Sequence, residues 1–178
     1  MEDGRVKYTK MVISAAFMKL LDEHPVNKIT VTGICELAGI NRATFYRYYS
    51  DQYELLSVLE NEMLMEIQKI AEKDASNVDE LVLLIYQKFY EKRDEWTLLL
   101  GKNGDSRLLS KVRAYFDKFF SSQELFKSED RRMRYRFLLY GCSGLFTEWA
   151  ENGFLESPEK MAEYTNRYRH EMINGKRK

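Results

Sequence analysis

The chain is 178 residues long and 44% hydrophobic, and its 28 Lys and Arg balance 28 Asp and Glu to a formal net charge of zero. That length holds one domain, or a small domain followed by a larger one, with enough apolar content for a sizeable core. The charge balance gives no global pull toward nucleic acid, and no run of eighteen uncharged apolar residues offers a membrane-spanning helix.

Two prolines and nine glycines, with charged and apolar residues interleaved, favour an all-α protein. The histidines are His24 and His170, and no carboxylate pair, phosphate-binding glycine loop or nucleophile elbow occurs. No catalytic residue is therefore assigned and no enzyme is expected. His24, beside Pro25, reads as a helix C-terminal cation or a surface residue. Cys35 and Cys142 fall in separate predicted helices, which indicates neither a disulfide framework nor a thiolate metal site. No metal and no cofactor are expected, and two buried free thiols fit a reducing cytoplasm.

In chain order, the first predicted helix runs from about Val6 to Glu23, with apolar residues at three- and four-residue steps. Acids stand beside its bases, so it reads as an amphipathic helix and not as a signal peptide. Pro25 ends it. Two short helices around a glycine turn follow, within Ile29 to Leu56. Ile34, Cys35 and Ala38 give the first an apolar face. Gly39 enters φ > 0 at little steric cost, Ile40 fills the gap behind the turn, and Asn41 suits the N-cap of the second. Phe45 and Tyr49, four residues apart, aim into the core. This is a helix-turn-helix, whose second helix enters the DNA major groove in proteins that use it so.

At about 100° per residue, burying Phe45 and Tyr49 leaves Ala43, Thr44 and Arg47 on the opposite face. Arg42 lies near the buried edge in the first turn, where its long side chain reaches out, and Tyr46 and Tyr48 flank the outer face. The set holds a guanidinium suited to guanine O6 and N7, a hydroxyl, and a small apolar contact for a thymine methyl. Tyrosine hydroxyls suit phosphate oxygens, which fix register and not sequence. Residues 1–50 hold seven Lys and Arg against five Asp and Glu, a weak polarity in the matching direction.

Ser50 or Asp51 caps a fourth helix to about Ala75, with Leu55, Leu56, Leu59, Met63, Ile67 and Ile70 in one stripe. Asn77 or Val78 opens a fifth to about Lys92. A short helix around Trp96 to Leu100, a polar Gly101–Gly104 loop, and a helix capped by Asp105 to about Ser121 come next. Tyr86, Phe89, Tyr90, Trp96, Tyr115, Phe116, Phe119 and Phe120 make this region aromatic, either as core or as the walls of a small-molecule pocket. From about Glu129, Arg131, Arg132, Arg134 and Arg136 form the solvated start of a helix. It continues as Phe137 to Trp149, apolar almost all round and so expected to be buried on more than one side. Gly141, Ser143 and Gly144 allow close helix approach. Ser157 caps a last helix with Pro158 at its first position, and Gly175–Lys178 read as a solubilising tail.

The segments Thr30-Val31-Thr32, Ile34, Leu37-Ala38-Gly39-Ile40 and Arg42-Ala43-Thr44-Phe45-Tyr46-Arg47-Tyr48-Tyr49 together resemble the DNA-binding domain of the TetR (tetracycline-repressor) family. The stretch Gly141 to Tyr164 resembles a small-residue helix, Trp, Asn-Gly-Phe turn and Ser-Pro helix start found in a subgroup of short members. The resemblance implies an all-α fold of about nine helices: a three-helix DNA-binding domain over residues 1–50, then a helical effector-binding and dimerisation domain over residues 51–178. In the family the fourth helix links the two, so its tilt can carry a signal between them.

It also implies a sequence-specific transcriptional regulator, a homodimeric repressor released from its operator by a small ligand. The implied partners are a double-stranded DNA operator, a second copy through the last two helices (about residues 130–173), and an unidentified small-molecule effector. On that pattern Thr30 and Thr32 meet DNA backbone. Arg42, Ala43, Thr44 and Arg47 face bases, and Tyr46, Tyr48 and Gln52 hold phosphates. Three positions depart from the family: Ala43 where Gly is common, Tyr49 for a frequent Phe, and Gln52 where a Lys often contacts phosphate. The lost charge and the zero net charge motivate a rival reading, a co-regulator acting mainly through protein–protein contacts.

Overall fold

The computed structural model describes residues 4–74, 76–100, 107–121 and 128–174. These residues form nine α-helices and no strand: α1 (Gly4–Glu23), α2 (Val31–Ala38), α3 (Arg42–Tyr46), α4 (Gln52–Lys69), α5 (Val78–Glu91), α6 (Arg93–Leu100), α7 (Arg107–Ser121), α8 (Glu129–Glu151) and α9 (Pro158–Asn174). A 3₁₀ turn, Val26–Lys28, follows Pro25, and a π-helical turn, Ile70–Asp74, ends α4. The Gly101–Gly104 loop, the Asp105 cap and the Gly175–Lys178 tail lie outside the described residues.

The chain divides into two compact units, Met1–Met63 with Leu98–Ser106 and Leu64–Thr97 with Arg107–Lys178. The division falls inside α4, after Met63, and inside α6, after Thr97.

In the first unit α1 packs on α2 and α2 on α3. Ile13, Phe17 and Leu21 of α1, Ile34 and Cys35 of α2, Phe45, Tyr49, Leu55 and Leu56 form the core. Its short helices are held by local bonds that the sequence specifies. Thr30 Oγ1 accepts from the Gly33 N–H at 3.1 Å and caps α2. Gly39 takes the left-handed conformation (φ 66°) and ends it, with the Ile40 N–H donating back to the Cys35 carbonyl at 3.0 Å. Asp51 Oδ1 accepts from the N–H groups of Tyr53 and Glu54, both at 2.8 Å, while Glu54 reaches back to the Ser50 N–H at 2.6 Å. Those bonds from Ser50 hold the Glu54 carboxyl below the usual range.

In the second unit α5 packs along α9, α7 on α8, and α8 on α9. Asn77 caps α5 by accepting from the Glu80 N–H at 3.0 Å. The core is aromatic: Phe89 lies 4.0 Å from Phe146 and 4.7 Å from Trp96 between ring centroids, Tyr86 5.4 Å from Trp149, and Trp149 4.7 Å from Phe154. These rings fill one another's spaces, so this part of the central aromatic region is core. The buried hydroxyls of Tyr86 and Thr165 bond each other at 2.9 Å, and the Trp149 indole N–H donates to the Glu156 carbonyl at 3.0 Å.

Burial of Phe137–Trp149 is one-sided within a single chain. Within one chain α8 buries Phe146, Trp149 and Ala150, while Phe137 and Tyr140 stay 68% and 64% exposed. Among the described residues, α8 packs one side on α5, α7 and α9, and its Phe137 and Tyr140 side is left exposed. At the turn after α8, Gly153 (φ 72°) and Phe154 (φ 56°) are both left-handed, and Phe154 is buried.

Candidate nucleic-acid interface

Two caps and one buried ring set the geometry of the reading helix. Asn41 Oδ1 accepts from both the backbone N–H (2.8 Å) and the hydroxyl (3.0 Å) of Thr44, fixing the first turn of α3. Phe45 is fully buried, which orients the helix about its axis. The α-helix ends at Tyr46, sooner than a helix carrying Tyr49 would, and Arg47 is its C-cap residue. The following turn still returns the N–H groups of Tyr48 and Tyr49 to the Phe45 carbonyl, at 2.9 and 3.1 Å. Tyr49 thereby keeps its place four residues beyond Phe45 and is buried against it, ring centroids 5.6 Å apart.

With those two rings inside, Arg42, Ala43, Tyr46 and Arg47 are exposed and Thr44 is half-buried. Ala43 and Arg47 lie nearly opposite Phe45. The Thr44 hydroxyl spends its proton on Asn41, so toward a base it offers an acceptor only. Arg42 does not stand alone: its Nη2 donates to the Tyr46 hydroxyl at 3.0 Å, and its guanidinium lies 5.6 Å from the Tyr46 ring centroid. Thr30 and Thr32 are exposed at the start of α2, and the Thr30 oxygen is already accepting as the cap. Tyr48 and Gln52 are half-buried, Gln52 as the first residue of α4.

Two residues near this face were not foreseen. Lys10 of α1 places its Nζ 6.0 Å from the Tyr48 ring centroid, bringing a cation to the flank of the reading helix. Their separation in sequence leaves no local pattern to find. Tyr53, 42% exposed in the first turn of α4, adds a hydroxyl beside Gln52. An aromatic directly after a helix start was the available signal.

Elsewhere the described residues hold no group of three or more His, Cys, Asp or Glu placed to bind a metal ion. Both thiols are free, and burial pushes Cys142 up to about 11. No described helix is long and apolar enough to cross a membrane.

Comparison with known proteins gives two family matches. The model described as "Bacterial regulatory proteins, tetR family" covers residues 13–59, and that of a TetR-type "Transcriptional regulator C-terminal region" covers residues 76–171. The HTH-type dhaKLM operon transcriptional activator DhaS of Lactococcus lactis subsp. lactis (strain IL1403) is 31% identical over 121 residues, 65% of this chain. The chain spans 63% of the length of that curated relative. Among solved structures, a TetR transcriptional regulator from Streptococcus agalactiae 2603V superposes with a TM-score of 0.65 at 24% identity, over 94% of this chain and 97% of that one. NalD, the secondary repressor of the MexAB-OprM multidrug efflux pump in Pseudomonas aeruginosa, gives 0.70 at 19% identity, over 96% and 97%. At those identities the likeness is one of fold, and it agrees with the sequence matches: this chain belongs to the TetR family of bacterial regulatory proteins.

Proposed function

We propose that the protein is a sequence-specific, DNA-binding transcriptional regulator that acts as a homodimer and responds to a small molecule. The observation that carries this reading is α3 itself. Phe45 and Tyr49 anchor one side, and Arg42, Ala43 and Arg47 stand exposed on the rest. Guanidinium and small apolar groups on one short helix suit base edges in the major groove. Thr30, Thr32, Tyr48 and Gln52 lie at the margins, where contacts to phosphate fix register.

One short helix reads few base pairs, so two copies are needed to span two half-sites. Support for dimerisation through α8 and α9, residues 130–173, comes from one stripe of α8. Met133, Phe137 and Tyr140 are exposed on it beside Gly141 and Gly144, where an added Cβ would meet nothing within 4 Å. Tyr168 of α9 is also exposed. An uncovered apolar stripe with small residues suits close approach of a second copy. The effector acts through the second unit in this reading. Two open grooves there, of about 540 and 520 Å³, run beside α9 and share Glu159.

A mobility-shift titration of the full chain on DNA upstream of its own gene tests the reading. A discrete complex that survives excess random competitor is expected. No specific complex at low salt, with or without added cell metabolites, would leave the protein–protein co-regulator as the better account.

A further inference from the structure

Arg42 begins in an unpromising place for a base reader. Taking Phe45 as pointing inward, Arg42 leaves α3 only about 60° away, whereas Ala43 and Arg47 leave it about 160° away on either side. From that position its long side chain must bend outward to reach the exposed face. Tyr46 lies on the same side as Arg42 but about 40° further out. The 3.0 Å bond from Arg42 Nη2 to the Tyr46 hydroxyl draws the guanidinium outward, and the ring beneath it holds the group at 5.6 Å. Tyr46 is itself fixed, because its ring stands edge-on to the buried Phe45 ring at 5.8 Å. The bond uses one of five guanidinium N–H donors, and four remain. A second N–H on Nη2 with one on Nη1 forms the parallel fork that matches guanine O6 and N7.

Arg42 is a base reader in the DNA-binding reading above; we infer that Tyr46 is a positioning residue that acts through Arg42 and sets its guanidinium to select a guanine. The inference rests on the DNA-binding reading above and assigns part of its specificity. It separates Tyr46 from a tyrosine that simply holds a phosphate. A phosphate-holding hydroxyl strengthens binding to every sequence alike, whereas a hydroxyl that pre-orders Arg42 strengthens binding only where the matching guanine is present. Fixing a flexible guanidinium before contact lowers the ordering cost of binding.

The experiment uses the full chain. A site is first selected from random duplex oligonucleotides, and affinities are then measured on that site and on random DNA for wild type, Arg42→Ala, Tyr46→Phe and the double variant. Tyr46→Phe keeps the ring contacts and removes only the acceptor, and both side chains are exposed, so folding is retained and is checked by thermal melting. Arg42→Ala is expected to lower the specific-to-random ratio roughly five- to 150-fold. Tyr46→Phe is expected to lower it about three- to tenfold, with no further loss once Arg42 is Ala. Replacing one guanine of the site with 7-deazaguanine should weaken wild type and leave Arg42→Ala unchanged.

Equal weakening of both DNAs by Tyr46→Phe, or an additive effect in the double variant, overturns the positioning role. A salt slope that falls by about one in Arg42→Ala on random DNA places Arg42 on phosphate and overturns the base-reading role. If wild type selects no site, the DNA-binding reading fails and the inference falls with it.

Discussion

The two units are held together on different length scales. In the first, the bonds that shape the reading helix close over three or four residues: Thr30 to Gly33, Asn41 to Thr44, Arg42 to Tyr46. In the second, the decisive contacts are distant in sequence, such as Tyr86 with Thr165 and Phe89 with Phe146. In the first unit, local caps add to the small core around Phe45 in setting the reading helix. A larger helical bundle fixes its geometry by interleaving big side chains.

The largest expected effect tests whether the units are separable. Phe45→Ala removes a fully buried ring and should cost about 3–5 kcal/mol. Specific DNA binding should vanish while the dimer persists in analytical ultracentrifugation. Loss of both together would show that one cooperative structure spans the chain.

Gly144→Leu comes next. Within one chain the new side chain meets open space, so thermal stability measured at low concentration should hold. Across a closely packed helix interface the same side chain should overpack by about 1–3 kcal/mol, shifting the monomer–dimer equilibrium toward monomer. An unchanged sedimentation profile would move the interface away from this stripe.

Tyr86→Phe should destabilise the second unit by about 1–3 kcal/mol, because Thr165 loses its buried partner. Chemical denaturation reads that loss, and DNA affinity of the folded protein should not change. The smallest effect belongs to Asp79. Burial pushes its carboxyl up, but hydrogen bonds from His170 and Arg169 outweigh this and hold it below the usual range. A lowered folded value contributes stability above the unfolded pKa of about 3.9, and that contribution is lost as pH falls through the folded value. Asp79→Asn should therefore lower the melting temperature slightly at pH 7, and the gap from wild type should narrow as pH falls below about 4.

Legibility in the sequence follows the same length scales. The caps at Asn41 and Asn77, the left-handed Gly39 and the buried pair Phe45 and Tyr49 were readable, because each depends on residues within one helical turn, whereas Thr30 was read as a DNA contact and not as the cap of α2. The early end of α3 was not, since Tyr48 and Tyr49 keep their bonds to Phe45 without continuing the helix. The Arg42–Tyr46 bond was within reach at a spacing of four, but a tyrosine beside a reading helix looks the same whether it holds a phosphate or an arginine. Lys10 over Tyr48 joins α1 to the turn after α3, with α2 between them in the chain. For the aromatics of the second unit, helical spacing is identical for a packed core and for a pocket wall, and only ring-to-ring distances separate the two.

The turn between α8 and α9 bears on how fast two copies meet. Phe154 in a left-handed conformation costs about 1–2 kcal/mol, and it is held there by its burial against Trp149 after the equally left-handed Gly153. The geometry of this turn is therefore set by contacts within one chain. On the dimer proposed above, two chains would then associate as preformed bodies, at a rate set by orientation during diffusion, typically 10⁵–10⁷ M⁻¹s⁻¹.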